Sequence, residues 1–350
     1  MSDEGAEANS EERFSPKRVE KIDRMRVHKA YAAWPELAER GLEVKFTLEH
    51  VQAKKVHILG MGGSAAAGDI LASWLWSRHG IEAEVNKGVI QTQDMTRSLV
   101  IACSASGQTE ETVSMMKTAL KRGAHLVSSS CGGMLEAESR RLGVQHIQIP
   151  SMLAPRYVLP FMVFSCFALV DAVLGLGSFD EARKAIVGMK ELSEEIGVSV
   201  MTTKNPSKKL ALRLMGKTPA IYGTRVTRGA GVRFKNAINE NSKKHAIYDE
   251  MPELFHNEIE AWEEPAAAFV PVILRDRGET DRDSRLANAF THILSSIGKE
   301  PVEVRGRGRF GLERLMTMVY ELDMASYYIA IGRGQDPFPI PLIVGLKKSA

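Results

Sequence analysis

Ser104-Ala-Ser-Gly-Gln-Thr-Glu-Glu111 is the stretch whose reading decides the fold. Ahead of it, Ser98 to Cys103 is a short apolar run of the kind that forms a buried strand. Behind it, Thr112 to Arg122 sets Val113, Met116 and Leu120 at helical spacing. A hydroxyl-rich loop therefore joins a strand end to a helix start. Helix N-termini present unpaired N–H groups and a partial positive charge, and Gly107 lets the backbone come close to a ligand. Ser104, Ser106 and Thr109, with no Lys or Arg among them, suit a phosphate monoester held by neutral donors. A capping box built from Thr109 and a following Glu accounts for part of this pattern. It does not account for Ser104, Ser106 and Gly107 together.

Outward from this loop the chain alternates strands with helices. Ser15 to Leu48 predicts one or two leading helices, and Lys55 to Gly60 a strand. Gly60-Met-Gly-Gly-Ser-Ala65 predicts a glycine turn before a helix over Ala66 to His79, and Ile81 to Val85 the next strand. After the hydroxyl loop come a strand at Ala124 to Val127, a helix at Met134 to Leu142 and a strand at Val144 to Ile149. Such alternation specifies a parallel sheet covered on both faces. Phe179 to Gly197 reads as a charged connector helix, and near Pro206 the pattern restarts. Helices are predicted over 208–215, 227–241, 282–297 and 312–331, and strands over 219–222, 268–274 and 301–304. The expected fold is α/β with two similar domains in tandem. The expected boundaries are a disordered tail 1–17, an N-terminal domain 18–177, a connector 178–207 and a C-terminal domain 208–350.

Composition bounds the function. With 350 residues, 44% hydrophobic and 25% charged, the chain has the make-up of a soluble globular protein. A formal charge of +3 does not indicate a nucleic-acid partner. Cys103, Cys131 and Cys166 show no metal-type or CxxC spacing and read as reduced core thiols of a cytosolic protein. The acidic opening residues are not a secretory signal, so the expected location is cytoplasmic. Val158 to Gly177 is almost wholly apolar and near spanning length. It holds Pro160 and Asp171 and has no Lys/Arg cluster at its ends, which favours a helix buried in a core or subunit interface over a membrane span.

Several residues are candidates for chemistry. Gly60 to Ala65 also fits G-x-G-x-x-A, the dinucleotide fingerprint, with Glu82 or Glu84 at the distance of a ribose-binding acid. Against a dinucleotide oxidoreductase, Ser64 adds a hydroxyl at the helix start, and the hydroxyl loop has no role in a nicotinamide site; a sugar phosphate fits better. Glu240 falls at the C-terminal end of a predicted helix, where a carboxylate is unfavourable beside the dipole; it is either a solvated charge or a base. His256 lies in a polar loop as an acid–base candidate or a plain surface histidine, with His245 a competitor nearby. Arg156 enters an apolar segment and needs an anion, from substrate or from the protein. Lys347 and Lys348 sit near the C-terminus, and Arg305, Arg307 and Arg309 form a basic loop suited to a surface or interface.

Taken together, Gly60-Met-Gly-Gly-Ser64 with Gly68-Asp69, and Ser104-x-Ser-Gly-x-Thr-Glu-Glu111, resemble the sugar isomerase (SIS) family. Pro155-Arg156, Asn239-Glu-Asn241, Phe255-His-Asn-Glu258 and Asp336-Pro…Leu346-Lys347 narrow the resemblance to the bifunctional phosphoglucose/phosphomannose isomerases of archaea and some bacteria. It runs from about residue 20 to the C-terminus in unbroken order. The resemblance implies two SIS domains, a homodimer, and neither metal nor cofactor. It implies exchange of glucose 6-phosphate, and also mannose 6-phosphate, with fructose 6-phosphate through a cis-enediolate. Phosphate would be held by Ser64, Ser104, Ser106 and Thr109, with the backbone of Gly62 and Gly63 against the substrate. Glu240 would be the base, Arg156 would stabilise the enediolate oxygen, and Lys347 with the other subunit's His256 would open the sugar ring. Family members often carry a small polar residue near the Asp-Pro segment, which leaves room for mannose-type turnover; here that segment reads Phe338-Pro-Ile-Pro341. The rival within the superfamily is a non-catalytic SIS sensor, which would use the hydroxyl loop without Glu240 or His256.

Overall fold

The structure is a computed structural model that describes residues 11–47, 53–263 and 268–349. After a helical stretch at 11–13, three short helices follow over the segment where one or two were expected: α1 (Pro16–Ile22), α2 (Val27–Ala32) and α3 (Trp34–Leu42). The breaks fall where Asp23 caps α2, accepting from the N–H groups of Val27 and His28, and where Arg26 adopts a left-handed φ of 55°. The first ten residues of the expected tail lie outside the described residues. From residue 11 onward the chain is already packed: Phe14 is buried, and Glu11 accepts from the Thr202 N–H.

The first sheet follows from β1 (Lys55–Leu59), α4 (Gly62–His79), β2 (Ala83–Asn86), β3 (Ser98–Cys103), α5 (Glu110–Lys121), β4 (His125–Ser130), α6 (Gly133–Leu142) and β5 (Gln145–Gln148). All pairings are parallel in the order β2-β1-β3-β4-β5. α7 (Leu159–Leu174) is the apolar helix; it is buried from Leu159 to Asp171. Among the described residues no helix is long and apolar enough to cross a membrane. α8 (Phe179–Ile196), expected as a connector, buries Ala182, Ala185, Met189 and Leu192 in the core.

The second sheet is built from α9 (Pro206–Leu214), β6 (Thr218–Gly223), α10 (Arg228–Ala237), β7 (Ile247–Glu250), β8 (Phe269–Arg275), α11 (Asp281–Ser296), β9 (Val302–Arg305), α12 (Gly311–Gly332) and α13 (Pro341–Ser349). Its order, β7-β6-β8-β9, repeats that of β2-β1-β3-β4 and is parallel throughout. The fold is therefore α/β with two helix-flanked parallel sheets, as expected. β7 and α13 were not anticipated. In β7 Ile247 is exposed and the other three residues are half-buried, and Asp249 and Glu250 obscure its strand character.

One continuous apolar cluster runs through both halves, from Ile58 and Ile101 to Ile221 and Val272. The halves meet where α4 crosses α10. At Gly229 a Cβ would come within 2.5 Å of the Ile70 Cα, so only glycine permits this approach. The expectation of three core thiols needs correction. Cys103 and Cys166 are buried with their sulfurs 3.7 Å apart, but Cys131 is exposed in the turn after β4.

A buried charge network ties α10 to α12. Arg233 donates through Nε to Asp323 at 3.0 and 3.2 Å and through Nη2 at 2.5 Å, and both side chains are essentially inaccessible. Burial pushes the Asp323 carboxyl up and also works against the charge on Arg233, while the carboxylate favours that charge. The forked geometry is that of charge-assisted bonds, so we take the pair as ionised. Breaking one partner strands the other without water: Asp323→Ala should lower unfolding stability by about 3–5 kcal/mol. Urea denaturation checks this; the apolar double change Arg233→Met with Asp323→Leu should cost less.

Candidate active site

In a parallel sheet ligands bind beyond the strand C-termini, at the point where successive connections leave for opposite faces. In the first sheet that point lies between β1 and β3, and both glycine- and hydroxyl-rich loops stand there. The glycine turn proves to be the first turn of α4, which starts at Gly62. Ser64 is thereby buried, with its Oγ accepting from the Ala105 N–H at 3.1 Å, which joins the two loops.

The hydroxyl loop is tightly built. Ser104 donates to Thr109 Oγ1 at 2.9 Å, and Ser106 Oγ accepts from the Gln108 N–H at 3.3 Å. Gly107 has φ 68°, and its N–H returns to the Ser104 carbonyl. Thr109 is the N-cap of α5, but its side chain makes no capping bond. The capping box therefore does not form; the Thr112 and Val113 N–H groups bond back to the Thr109 carbonyl, and among the described residues no side chain accepts from the N–H groups of Glu110 and Glu111.

Arg156 sits in a single 3₁₀ turn, Pro155–Tyr157, ahead of α7. It is 4% exposed, and its Cα lies 3.7 Å from where a Cβ on Gly63 would stand. Its Nη2 donates to the carbonyls of Phe338 (2.6 Å) and Pro337 (3.2 Å), and its guanidinium lies over the Tyr157 and Phe338 rings. Its Nε is buried without a partner. Nη1 stands 3.8 Å from Glu240 Oε2, an ion pair between the two halves of the chain.

Glu240 is not on a regular helix end. α10 continues into a π-helical turn, Ile238–Ser242, and Glu240 projects from it with its side chain 22% exposed. Single π turns of this kind re-aim side chains and recur at functional sites. Asn241 and Ser242 fasten the turn to α12 through the Ser326 side chain and carbonyl. Arg233 donates to the Arg156 carbonyl at 3.1 Å, so the buried network supports Arg156 as well.

The remaining candidates stand apart. His256 ends a 3₁₀ turn, Glu253–His256, and is exposed; His245 is exposed too. Lys347 is exposed on α13. Among the described residues no hydrogen bond or ion pair joins His256 or Lys347 to Arg156 or Glu240. The acids of the dinucleotide alternative are engaged elsewhere: Glu82 pairs with Arg225, and Glu84 lies 3.4 Å from His57. Sequence reasoning missed Lys243, whose Nζ donates to the carbonyl of Glu240 at 2.5 Å. Its place three residues after Glu240 carries no spacing signal, since the turn there is not α-helical.

The second sheet repeats the topology but not the site. Beyond β8 the equivalent loop is acidic, and it fills itself. The Asp276 N–H donates to Glu279, the Gly278 N–H donates to Asp276, and Arg314 and Arg275 neutralise the two carboxylates. Of these two equivalent loops, the one in the first sheet is the open, hydroxyl-lined one.

These features define an SIS-type scaffold, in which the hydroxyl loop is tied through Ser64 to the glycine turn and the Arg156–Glu240 pair lies beside Gly63. A family described as bacterial phospho-glucose isomerase C-terminal SIS domain matches residues 203–349. A bifunctional phosphoglucose/phosphomannose isomerase of Aquifex aeolicus (strain VF5) is 31% identical, over 84% of this chain and 90% of its own. Its counterpart in Caldicellulosiruptor bescii is also 31% identical, over 88% and 93%. A glucose-6-phosphate isomerase like protein of Thermus thermophilus shares the fold at a TM-score of 0.62 and 18% identity, over 97% and 99% of the two chains. The chain belongs to the bifunctional phosphoglucose/phosphomannose isomerase family and is an isomerase.

The loop geometry can be tested directly. A Cβ on Gly107 would fall 1.7 Å from the Gly132 carbonyl, on a backbone that disfavours side chains. Gly107→Ala should destabilise the protein by about 1–3 kcal/mol and raise hydrogen exchange over 104–112, read by urea denaturation and mass spectrometry.

Proposed function

We propose that the enzyme interconverts glucose 6-phosphate and fructose 6-phosphate, and accepts mannose 6-phosphate, by proton transfer through a cis-enediolate. The observation that carries this reading is the Arg156–Glu240 pair beside Gly63, where the glycine turn leads on to Ser64 and the hydroxyl loop. A sugar phosphate anchored at one end of that path can present its carbonyl end to the pair.

Ser64, Ser104, Ser106 and Thr109 hold the phosphate, with the N–H groups at the start of α5 and the backbone of Gly62 and Gly63. The Glu240 carboxylate takes the proton from C2 of the open-chain aldose. Electrons move into the carbonyl and form the enediolate. The hydroxyl proton on O2 passes to the O1 oxyanion, and the Glu240 acid returns the carbon proton to C1 as the C2 carbonyl forms, so base and substrate end with the proton count they began with. Arg156 faces the developing oxyanion with a charge it cannot lose. Ring opening precedes this step and needs an acid and a base at the ring oxygen and O1. We assign it to Lys347 and to His256 of the partner subunit in a homodimer. Two features support an assembly: His256 is exposed away from Glu240, and α13 leaves Leu342 and Leu346 largely uncovered. Phe338, whose ring lies 5.7 Å from the Arg156 guanidinium, stands where the family often carries a small polar residue, and on that ground we assign glucose 6-phosphate as the better substrate.

The test is Glu240→Gln in a coupled hexose phosphate assay. Turnover should fall by about 10²–10⁴-fold with KM little changed. Near-wild-type turnover removes Glu240 from the mechanism. A wild type whose melting responds to hexose phosphates without turning them over points to a sensor instead.

A further inference from the structure

Asp336, Pro337 and Phe338 cross the site as a strap between α12 and α13. The strap has no strand or helix of its own to hold it; Asp336 merely accepts from the Phe338 N–H in a local turn. Two cations grip it. Arg156 reaches it from the first half of the chain and Lys243 from the second, and both donate to the Pro337 carbonyl at 3.2 Å. Lys243 also donates to the carbonyls of Glu240 and Asn241, so its three protons are all used on backbone oxygens. Its backbone lies in the left-handed region at φ 54°, which turns the chain sharply at the end of the π turn and sends the ammonium back over it.

We propose that Lys243 is a positioning residue for the isomerase, locking the 336–338 strap to the Glu240 turn through shared backbone carbonyls. It touches no substrate in this role and acts through Glu240 and the strap. The proposal rests on the reading of Glu240 as the base. A neutral amine has two protons for three carbonyls and gives up the charge assistance, so the lock depends on pH. Glu240 on its own turn and Asp336 on the strap favour the charged form. Arg156 opposes it from the 3₁₀ turn, and Arg333 at the end of α12, bonded to the Ser242 carbonyl, is a further cation beside the turn. Burial and then the Arg156 charge bring the Lys243 ammonium down to about 8. The lock is therefore closed below that pH and loosens above it.

Hydrogen exchange over 333–340, from about pH 7 to about pH 9.5, tests this on the wild type, Lys243→Arg and Lys243→Met, with kcat/KM for glucose 6-phosphate recorded alongside. Corrected for intrinsic exchange, wild-type protection should fall roughly tenfold through about pH 8, and kcat/KM should fall with it. Lys243→Arg, which keeps its charge, should hold both to higher pH. Lys243→Met should show low protection and a roughly tenfold lower kcat at every pH, without the alkaline limb. Equal protection in Lys243→Met and wild type at about pH 7, or wild-type protection that ignores pH, overturns the proposal. If the wild type turns over no hexose phosphate, the assigned function fails, and the exchange measurements still decide the lock.

Discussion

The bidentate contact between Arg233 and Asp323 is the constraint on which the site depends. It is fully buried, so neither charge can exchange its partner for water. Arg233 also holds the Arg156 carbonyl, and Asp323 accepts from Tyr31, whose hydroxyl in turn accepts from Asn241 beside Glu240. The cation and the carboxylate of the Arg156–Glu240 pair thus hang from one network, although they come from opposite halves of the chain. A separation of 3.8 Å between flexible side chains would mean little on a surface. Here both backbones are fixed from behind, and the separation becomes a property of the fold.

How much of this could be read in the sequence depended on whether the signal was local. The strands flanking the hydroxyl loop are local apolar runs, and they fall where periodicity puts them. The apolar helix after Arg156 is likewise evident from its own residues, because burial on all sides leaves an unbroken run. The π turn at Glu240 is different. Its residues read as a helix end, and nothing in Ile238 to Ser242 announces a changed hydrogen-bond pattern, which Asn241 and Ser242 impose by tying the turn to α12. Lys243 escaped notice for the same reason: its three acceptors are backbone oxygens, one of them on the distant strap at Pro337. β7 was hidden by its two acids, and α13 by the prolines ahead of it.

The family resemblance supplied what local reasoning left open at Glu240 and Arg156, where a solvated carboxylate and a structural ion pair stood as alternatives. The structure joins these two residues to each other and, through Gly63, to the Ser64 and Ser104 loops. It leaves His256 and Lys347 exposed, and among the described residues neither is joined to Glu240 or Arg156 by a hydrogen bond or ion pair.

The acidic loop beyond β8 has a consequence for the architecture as a whole. Asp276 and Glu279 occupy the backbone donors that a guest's oxygens would otherwise claim, and Arg275 and Arg314 close the charge balance. The duplicated half thus carries a permanent internal surrogate for an anion, and it needs no visitor to be rigid. Two-fold repetition here yields two unlike loops, one lined by hydroxyls and one already satisfied by its own side chains.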